Sequence, residues 1–254
     1  MRKFNLLLTS LLLGAATTAS AHSLWTLGEN KEVFEADILY GHDFPHPEKI
    51  PAKRLSLFEP LKVVSRDGTV VLTQSGENYH YKHTAKLGKG THILVANYKP
   101  TYWTEKTNGE WEMGKTRRDV AQAKECGLYS MQGKSFVVID DDAAFSTQPL
   151  AQGYEITPLT PLNGLKANET AKFKVTHNGK PVEGVKVVGA PAGFDTDDLD
   201  IHAFSATTDD KGEFSFKALT SGPWYLASEV EIQGKDPKVC DKEVHEFTLS
   251  FAVK

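Results

Sequence analysis

The sequence predicts an all-β protein with two β-sandwich domains in tandem, preceded by a cleaved signal peptide. Short segments alternate apolar and polar residues, and Gly, Asn and Asp turn signals separate them at the spacing typical of sandwiches. A stretch with two prolines near residue 160 divides two such series. The chain begins with a basic and then apolar leader, which indicates export.

Residues 1–21 have the pattern of a secretory signal. Arg2 and Lys3 precede an apolar run from Phe4 to about Ala16, and Ala19-Ser20-Ala21 forms an A-x-A cleavage site. The run is shorter than the ~20 residues of a membrane span, and no later stretch approaches that length. We therefore expect a periplasmic protein, secreted through a cleaved signal peptide.

Residues 22–156 form the predicted N-terminal sandwich. Its segment 34–40 alternates with the period of two of a strand, with one exception. Valine-rich segments flank Arg66-Asp67-Gly68 and aromatic residues flank Thr107-Asn108-Gly109, and both patterns predict hairpins. The segment 117–126 lacks glycine and proline, which predicts a short helix or another ordered excursion.

Residues 157–165 are the predicted linker, and residues 166–254 form the second predicted sandwich. The linker holds two prolines, an asparagine and a glycine. Behind it, the segment 214–218 alternates cleanly, as a half-buried strand does. His245 has the same strand parity as the apolar residues of 247–251 and is interpreted as structural.

The two cysteines, Cys126 and Cys240, lie far apart in the chain. In an oxidising compartment an even pair indicates a disulfide, and two free or metal-bound thiols are the alternative.

The formal net charge is −4, and the sequence has no stripe of basic residues, so nucleic acid is not an expected partner. Nucleophile-elbow and phosphate-loop motifs are absent from the sequence, and we expect a protein that is not an enzyme.

His22 is the strongest candidate metal ligand. Cleavage after Ala21 gives this residue both a free α-amine, with a reference pKa of ~8, and an imidazole, with one of ~6.5. Such a residue chelates a metal through two nitrogens. The proline-rigidified segment 40–48 adds His42 and His46, and imidazole suits nickel, copper, zinc and cobalt. The alternative is that His42 and His46 are polar loop residues.

The acidic loop 195–200, close to His202, has four aspartates and is compatible with a cation. It lacks the spacing of an EF-hand, so calcium is a weak hypothesis.

Two family resemblances add to this interpretation. The mature start His22-Ser23-Leu24-Trp25, with the strand ending in Tyr40-Gly41-His42-Asp43-Phe44-Pro45, resembles the NikM-like or NikK-like periplasmic proteins associated with energy-coupling-factor nickel/cobalt transporters. The phrases 179–185 and 207–214 resemble the transthyretin-like, or carboxypeptidase-regulatory-like, fold. The positions shared with the first family are His22, Trp25, Gly41, Phe44 and Pro45.

The first resemblance implies a protein that captures Ni²⁺, or alternatively Co²⁺, and supports its delivery to an energy-coupling-factor permease in the inner membrane. Cu²⁺ is the alternative metal for the same nitrogen donors. Two other hypotheses stay open at this point. One is a copper-binding histidine-brace protein or oxygenase, and the other is an exported structural domain pair without metal. The sequence leaves the oligomeric state open.

Overall fold

The computed structural model describes residues 22–140, 142–194 and 201–254, and almost all of its regular structure is β. The strands of the first part are β1 (Ser23–Asn30), β2 (Phe34–Gly41), β3 (Lys62–Ser65), β4 (Gly68–Val71), β5 (Thr73–Gln74), β6 (His80–Lys82), β7 (Gly90–Lys106), β8 (Trp111–Met113) and β9 (Ala123–Ile139). Short 3-10 helices span Ala52–Leu57 and Ala144–Thr147.

The later strands are β10 (Tyr154–Pro158), β11 (Thr170–His177), β12 (Lys180–Pro181), β13 (Lys186–Pro191), β14 (Phe204–Thr207), β15 (Glu213–Lys217), β16 (Gly222–Gln233) and β17 (Lys242–Val253). Among the described residues, no helix is long and apolar enough to cross a membrane.

The strands form three sheets. The first sheet has the order β1-β2-β6-β5. The second has the order β10-β11-β12, and β15 also pairs with β11. A nine-stranded large sheet has the order β14-β13-β16-β17-β9-β7-β3-β4, and β8 pairs with β7. The all-β prediction is confirmed, and so are the hairpins around Arg66-Asp67-Gly68 and Thr107-Asn108-Gly109.

The large sheet runs through both predicted sandwiches, because β17 pairs with β9 in parallel along Lys242–Ser250. Two separate sandwiches in tandem are therefore not confirmed. The boundaries at residues 22–156, 157–165 and 166–254, and the transthyretin-like character of the last segment, stay predictions.

The two smaller sheets pack on opposite faces of the large sheet. Successive side chains of a strand point to opposite faces. On β17, Phe247 and Leu249 belong to the core shared with the second sheet, whereas Thr248, between them, donates a hydrogen bond to the first sheet. The first sheet forms its own core with β7, through residues that include Leu24 and Leu94.

A disulfide joins Cys126 to Cys240, as the cysteine pair predicts, with Cα atoms 4.8 Å apart. Both thiols are consumed in this bond, so the alternative of free or metal-bound cysteines is wrong. The bond connects the start of β9 to the connection before β17.

The segment 117–126 is not a helix. Turns occupy 117–122 and β9 begins at Ala123. Arg117 donates to the carboxylate of Asp241 over 2.7 Å and 2.9 Å, and the backbone N–H of Cys126 donates to the same carboxylate over 2.8 Å. These bonds hold the segment against the connection that precedes β17. Of the two predictions for this segment, the ordered excursion therefore remains.

Candidate metal site

The register of β1 and β2 brings His22 and His42 together. The two strands are antiparallel, and Ser23 lies opposite Gly41. His22 directly precedes β1 and His42 directly follows β2, so both flank this last pair of the ladder. Their ring centroids are 4.4 Å apart at an interplanar angle of 49°. We call these two residues the histidine pair.

Tyr40 forms the floor of the histidine pair. It is the next-to-last residue of β2, two positions before His42. The His22 ring stacks on the Tyr40 ring with centroids 4.6 Å apart and an interplanar angle of 15°. Tyr40 is buried and packs against Phe58 and Tyr98. Because burial raises the pKa of Tyr40, its hydroxyl keeps its proton at neutral pH. His22 thus rests on a rigid part of the core.

Arg54 borders this floor. Its Nη1 donates to the Tyr40 hydroxyl over 2.6 Å, and its guanidinium lies 5.1 Å from the centroid of the Trp103 ring. Trp103 in turn donates from Nε1 to the hydroxyl of Tyr98 over 3.0 Å. The 3-10 helix Ala52–Leu57 presents this arginine. The sequence analysis gives Arg54 no role, because no local motif marks it.

The turn after β2 is anchored by Phe44, which packs against Trp25 at 5.6 Å and Tyr225 at 5.2 Å between centroids. Behind it, the carboxylate of Glu48 folds back and accepts from the backbone N–H of His42 over 3.3 Å. A Cβ at Gly41 would displace this carboxylate, so glycine there lets Glu48 fold back against the strand end. These contacts give physical reasons for three positions of the resemblance: Trp25, Gly41 and Phe44.

His46 lies in the exposed part of the turn, where its backbone N–H donates to the carbonyl of Asp43 over 2.7 Å. Within residues 22–140, 142–194 and 201–254 there is no group of three or more His, Cys, Asp or Glu side chains that could hold a metal ion. The structure therefore brings His22 and His42 together and does not add His46 as a third side-chain ligand. Its role as a ligand stays a prediction.

The electrostatic surroundings favour a neutral His22 ring. Its pKa is lowered, first by burial and then by His42 and Arg54, whereas the carboxylate of Glu48 acts in the opposite direction. A neutral imidazole is the form that binds a metal. His22 is half-buried and His42 is exposed, so the pair lies at the rim of the core rather than inside it.

The start of β1 is held by two side chains of β17. The backbone N–H of Leu24 donates to Glu246 Oε1 over 3.3 Å, and its carbonyl accepts from the Thr248 hydroxyl over 2.6 Å. Gly133 of β9 lies directly below, where a Cβ would come within 2.8 Å of the Leu24 carbonyl oxygen. Burial raises the pKa of Glu246 to about 8. Sequence reasoning missed these anchors, because each lies more than a hundred positions away from Leu24 in the chain.

The acidic loop 195–200 lies outside the described residues, so the calcium hypothesis stays a prediction.

Comparison with known proteins places the chain in a family. A family model described as a domain of unknown function, DUF4198, matches residues 19–232. An uncharacterized protein of Haemophilus influenzae is 27% identical over 210 residues, which cover 82% of this chain and 84% of that protein. Since the model spans most of the sequence, the chain belongs to the DUF4198 family.

Proposed function

We propose that this is a periplasmic metal-binding protein that captures nickel, or alternatively cobalt, and supports its delivery to a membrane uptake transporter. The observation that carries the proposal is the contact between His22 and His42, whose ring centroids are 4.4 Å apart at the end of a strand pair. Two residues that are twenty positions apart in sequence thus offer imidazole nitrogens in one place.

The third donor in this proposal is the α-amine of His22. Signal cleavage after Ala21 would create it next to Ser23, at the strand end that also holds Gly41 and His42. The set then consists of one amine and two imidazoles, all neutral nitrogen donors. Such donors suit nickel and copper, and several coordination positions remain for water or for a carrier ligand.

The position of the site fits a protein that must release its metal. A half-buried and an exposed imidazole leave one side of the ion open, whereas a closed cage of four protein ligands is typical of structural sites. The cargo would pass to an energy-coupling-factor nickel/cobalt permease, as the resemblance to the NikM-like and NikK-like proteins implies. Location in the periplasm is proposed from the leader in residues 1–21.

Copper binding is the second candidate. An N-terminal histidine with a second histidine is the donor set of a copper histidine brace, and Cu²⁺ binds such nitrogens more tightly than Ni²⁺ does. Tyr40 stacks on the His22 ring, so a phenol lies close to the donor set, which favours this candidate. Its hydroxyl already accepts a hydrogen bond from Arg54, however, and this favours a carrier over an oxygenase with an axial tyrosine.

Calorimetry tests the proposal. Mature protein that begins at His22 is titrated with Ni²⁺, Co²⁺, Cu²⁺ and Zn²⁺, beside the variants His42→Ala and His83→Ala. His83 is the matched control, since its ring contacts the backbone of Ala85 instead of another histidine. We expect His42→Ala to weaken nickel binding at least tenfold, about 1.4 kcal/mol, and His83→Ala to leave it unchanged. Equal binding by wild type and His42→Ala would contradict the proposal.

A further inference from the structure

The guanidinium of Arg54 has far more hydrogen-bonding capacity than its surroundings use. A guanidinium carries five N–H donors. Only Nη1 has a protein partner in the part of the chain that the structure describes, and that partner is the Tyr40 hydroxyl. Nε is buried without any hydrogen-bond partner. Within the same residues, no carboxylate forms an ion pair with Arg54, although the structure contains many such pairs elsewhere.

This arrangement is unfavourable unless something else satisfies the arginine. A buried donor without a partner costs about 1–3 kcal/mol, and more when the group is charged. Arg117 illustrates the contrast, because its guanidinium binds Asp241 and two backbone carbonyls. Arg54 lies against the rings of Tyr40 and Trp103, but no described residue accepts a hydrogen bond from its remaining N–H groups.

Arg54 is also placed beside the proposed cation site. It and His22 contact the same residue, since the His22 ring stacks on Tyr40 and the guanidinium carbon lies 5.8 Å from the Tyr40 ring centroid. A fixed positive charge next to a divalent cation is repulsive. The repulsion disappears when an anion lies between the two charges and binds both of them.

We infer that Arg54 is the anion-binding half of a composite site, which takes the metal as a complex with a small carboxylate chelator rather than as a bare ion. The histidine pair and the terminal amine bind the metal, and a carboxylate of the chelator binds the Arg54 guanidinium. Arginine matches this ligand because its planar fork pairs with a carboxylate through two parallel hydrogen bonds. The inference rests on the proposed function and specifies its substrate class.

Equilibrium dialysis with Ni²⁺ and radiolabelled citrate tests this inference, because it measures retained metal and retained carboxylate separately. The proteins are the mature wild type, Arg54→Gln and Lys53→Gln. Lys53 is the matched control, since it is the exposed neighbour in the same 3-10 helix and carries the same charge. We expect wild type and Lys53→Gln to retain nickel and citrate together. We expect Arg54→Gln to retain nickel with about tenfold less citrate, the effect of losing a charge-assisted hydrogen bond.

Three results would overturn the inference. The first is wild-type protein that retains nickel without citrate, and this result is decisive even if Arg54→Gln does not fold. The second is equal citrate retention by wild type and Arg54→Gln. The third is an equal loss of citrate in Lys53→Gln, which would indicate a general charge effect. If the wild type retains no nickel at all, the proposed function fails as well, so the two failures are distinguishable.

Discussion

In the described part of the chain, two places combine a tyrosine with two histidines, and they differ in the hydrogen bonds of the imidazole nitrogens. At the histidine pair, the His22 ring stacks on Tyr40 at 4.6 Å. In the second place, which we call the Tyr154 cluster, the His177 ring stacks on Tyr154 at 4.1 Å and the His245 ring lies 5.3 Å away. By ring geometry alone, the two places are alike.

The hydrogen bonds of the histidine rings distinguish the two places. In the Tyr154 cluster, His245 Nδ1 shares a hydrogen bond with the Ser130 hydroxyl at 2.8 Å, and His177 Nε2 accepts from Asn178 at 3.1 Å. The ring of His22 has no hydrogen bond with any residue that the structure describes, and its lone pair is available to a metal. Proximity of histidines is therefore a weak sign of a metal site, and the lone pair of His22 that no described residue engages is the stronger sign.

The largest expected effect tests this difference directly. His22→Ala should weaken nickel binding about 100-fold, because it removes a ligand rather than a supporting residue. His177→Ala and His245→Ala should change it by less than about twofold, since their nitrogens are engaged by the protein. Calorimetry on the three variants measures the affinities. A loss of nickel binding in His245→Ala as large as that in His22→Ala would remove the distinction.

The two tyrosines give the next largest contrast. Tyr40→Leu should lower the free energy of unfolding by about 2 kcal/mol and also weaken nickel binding, because Tyr40 is buried and supports His22. Tyr154→Leu should cost about 1 kcal/mol, since Tyr154 is only half-buried, and leave nickel binding unchanged. Urea denaturation and calorimetry of both variants check this. Unchanged nickel affinity in a folded Tyr40→Leu protein would show that the floor is dispensable.

Glu246, which holds the start of β1 beside the histidine pair, should make the free energy of unfolding depend on pH. Its pKa is raised from 4.5 to about 8, first by burial. Between these values the unfolded chain has lost the proton and the folded protein keeps it, so this residue makes the free energy of unfolding fall as pH rises. Glu246→Gln should lack that fall and gain on the order of 1–2 kcal/mol over wild type at pH 8, because partial exposure reduces the full effect. Denaturation at pH 5 and pH 8 measures it, and parallel changes in both proteins would refute the assignment.

The smallest effect is expected at Ser130. Ser130→Ala removes the hydrogen bond to His245 and should lower the free energy of unfolding by about 1 kcal/mol. Nickel affinity should stay the same, because Ser130 bonds to His245, which belongs to the Tyr154 cluster and not to the histidine pair. Thermal unfolding and calorimetry give the two values, and a change in affinity would indicate that the two places are coupled.

Local patterns predicted the local parts of this fold. Alternation identified the strand 34–40, and glycine-containing turns identified the hairpins, because both depend on residues that are neighbours in sequence. The parallel pairing of β17 with β9 depends on strands that are far apart in sequence, and no local pattern specifies it. The interpretation of residues 117–126 was ambiguous for the same reason, since its outcome depends on Asp241.

The candidate site divides in the same way. His22 and His42 were found from residue type and from their places at a predicted cleavage site and a strand end. Arg54, Glu246 and Thr248 carry no sequence signal, because each acts through a contact with a distant strand. The candidate metal ligands were predictable from the sequence, and the residues that hold these ligands in place were not.

The most direct test of the account concerns the α-amine of His22. Nickel titration by calorimetry compares protein that begins at His22 with protein that carries Gly-Ser-Gly-Ser in front of it, an extension that keeps the new amine away from the His22 ring. The same extension at the C-terminus is the control. The account predicts that the N-terminal extension weakens nickel binding about 100-fold, because two donors on one residue bind as a chelate. Equal affinity in the extended protein would contradict it.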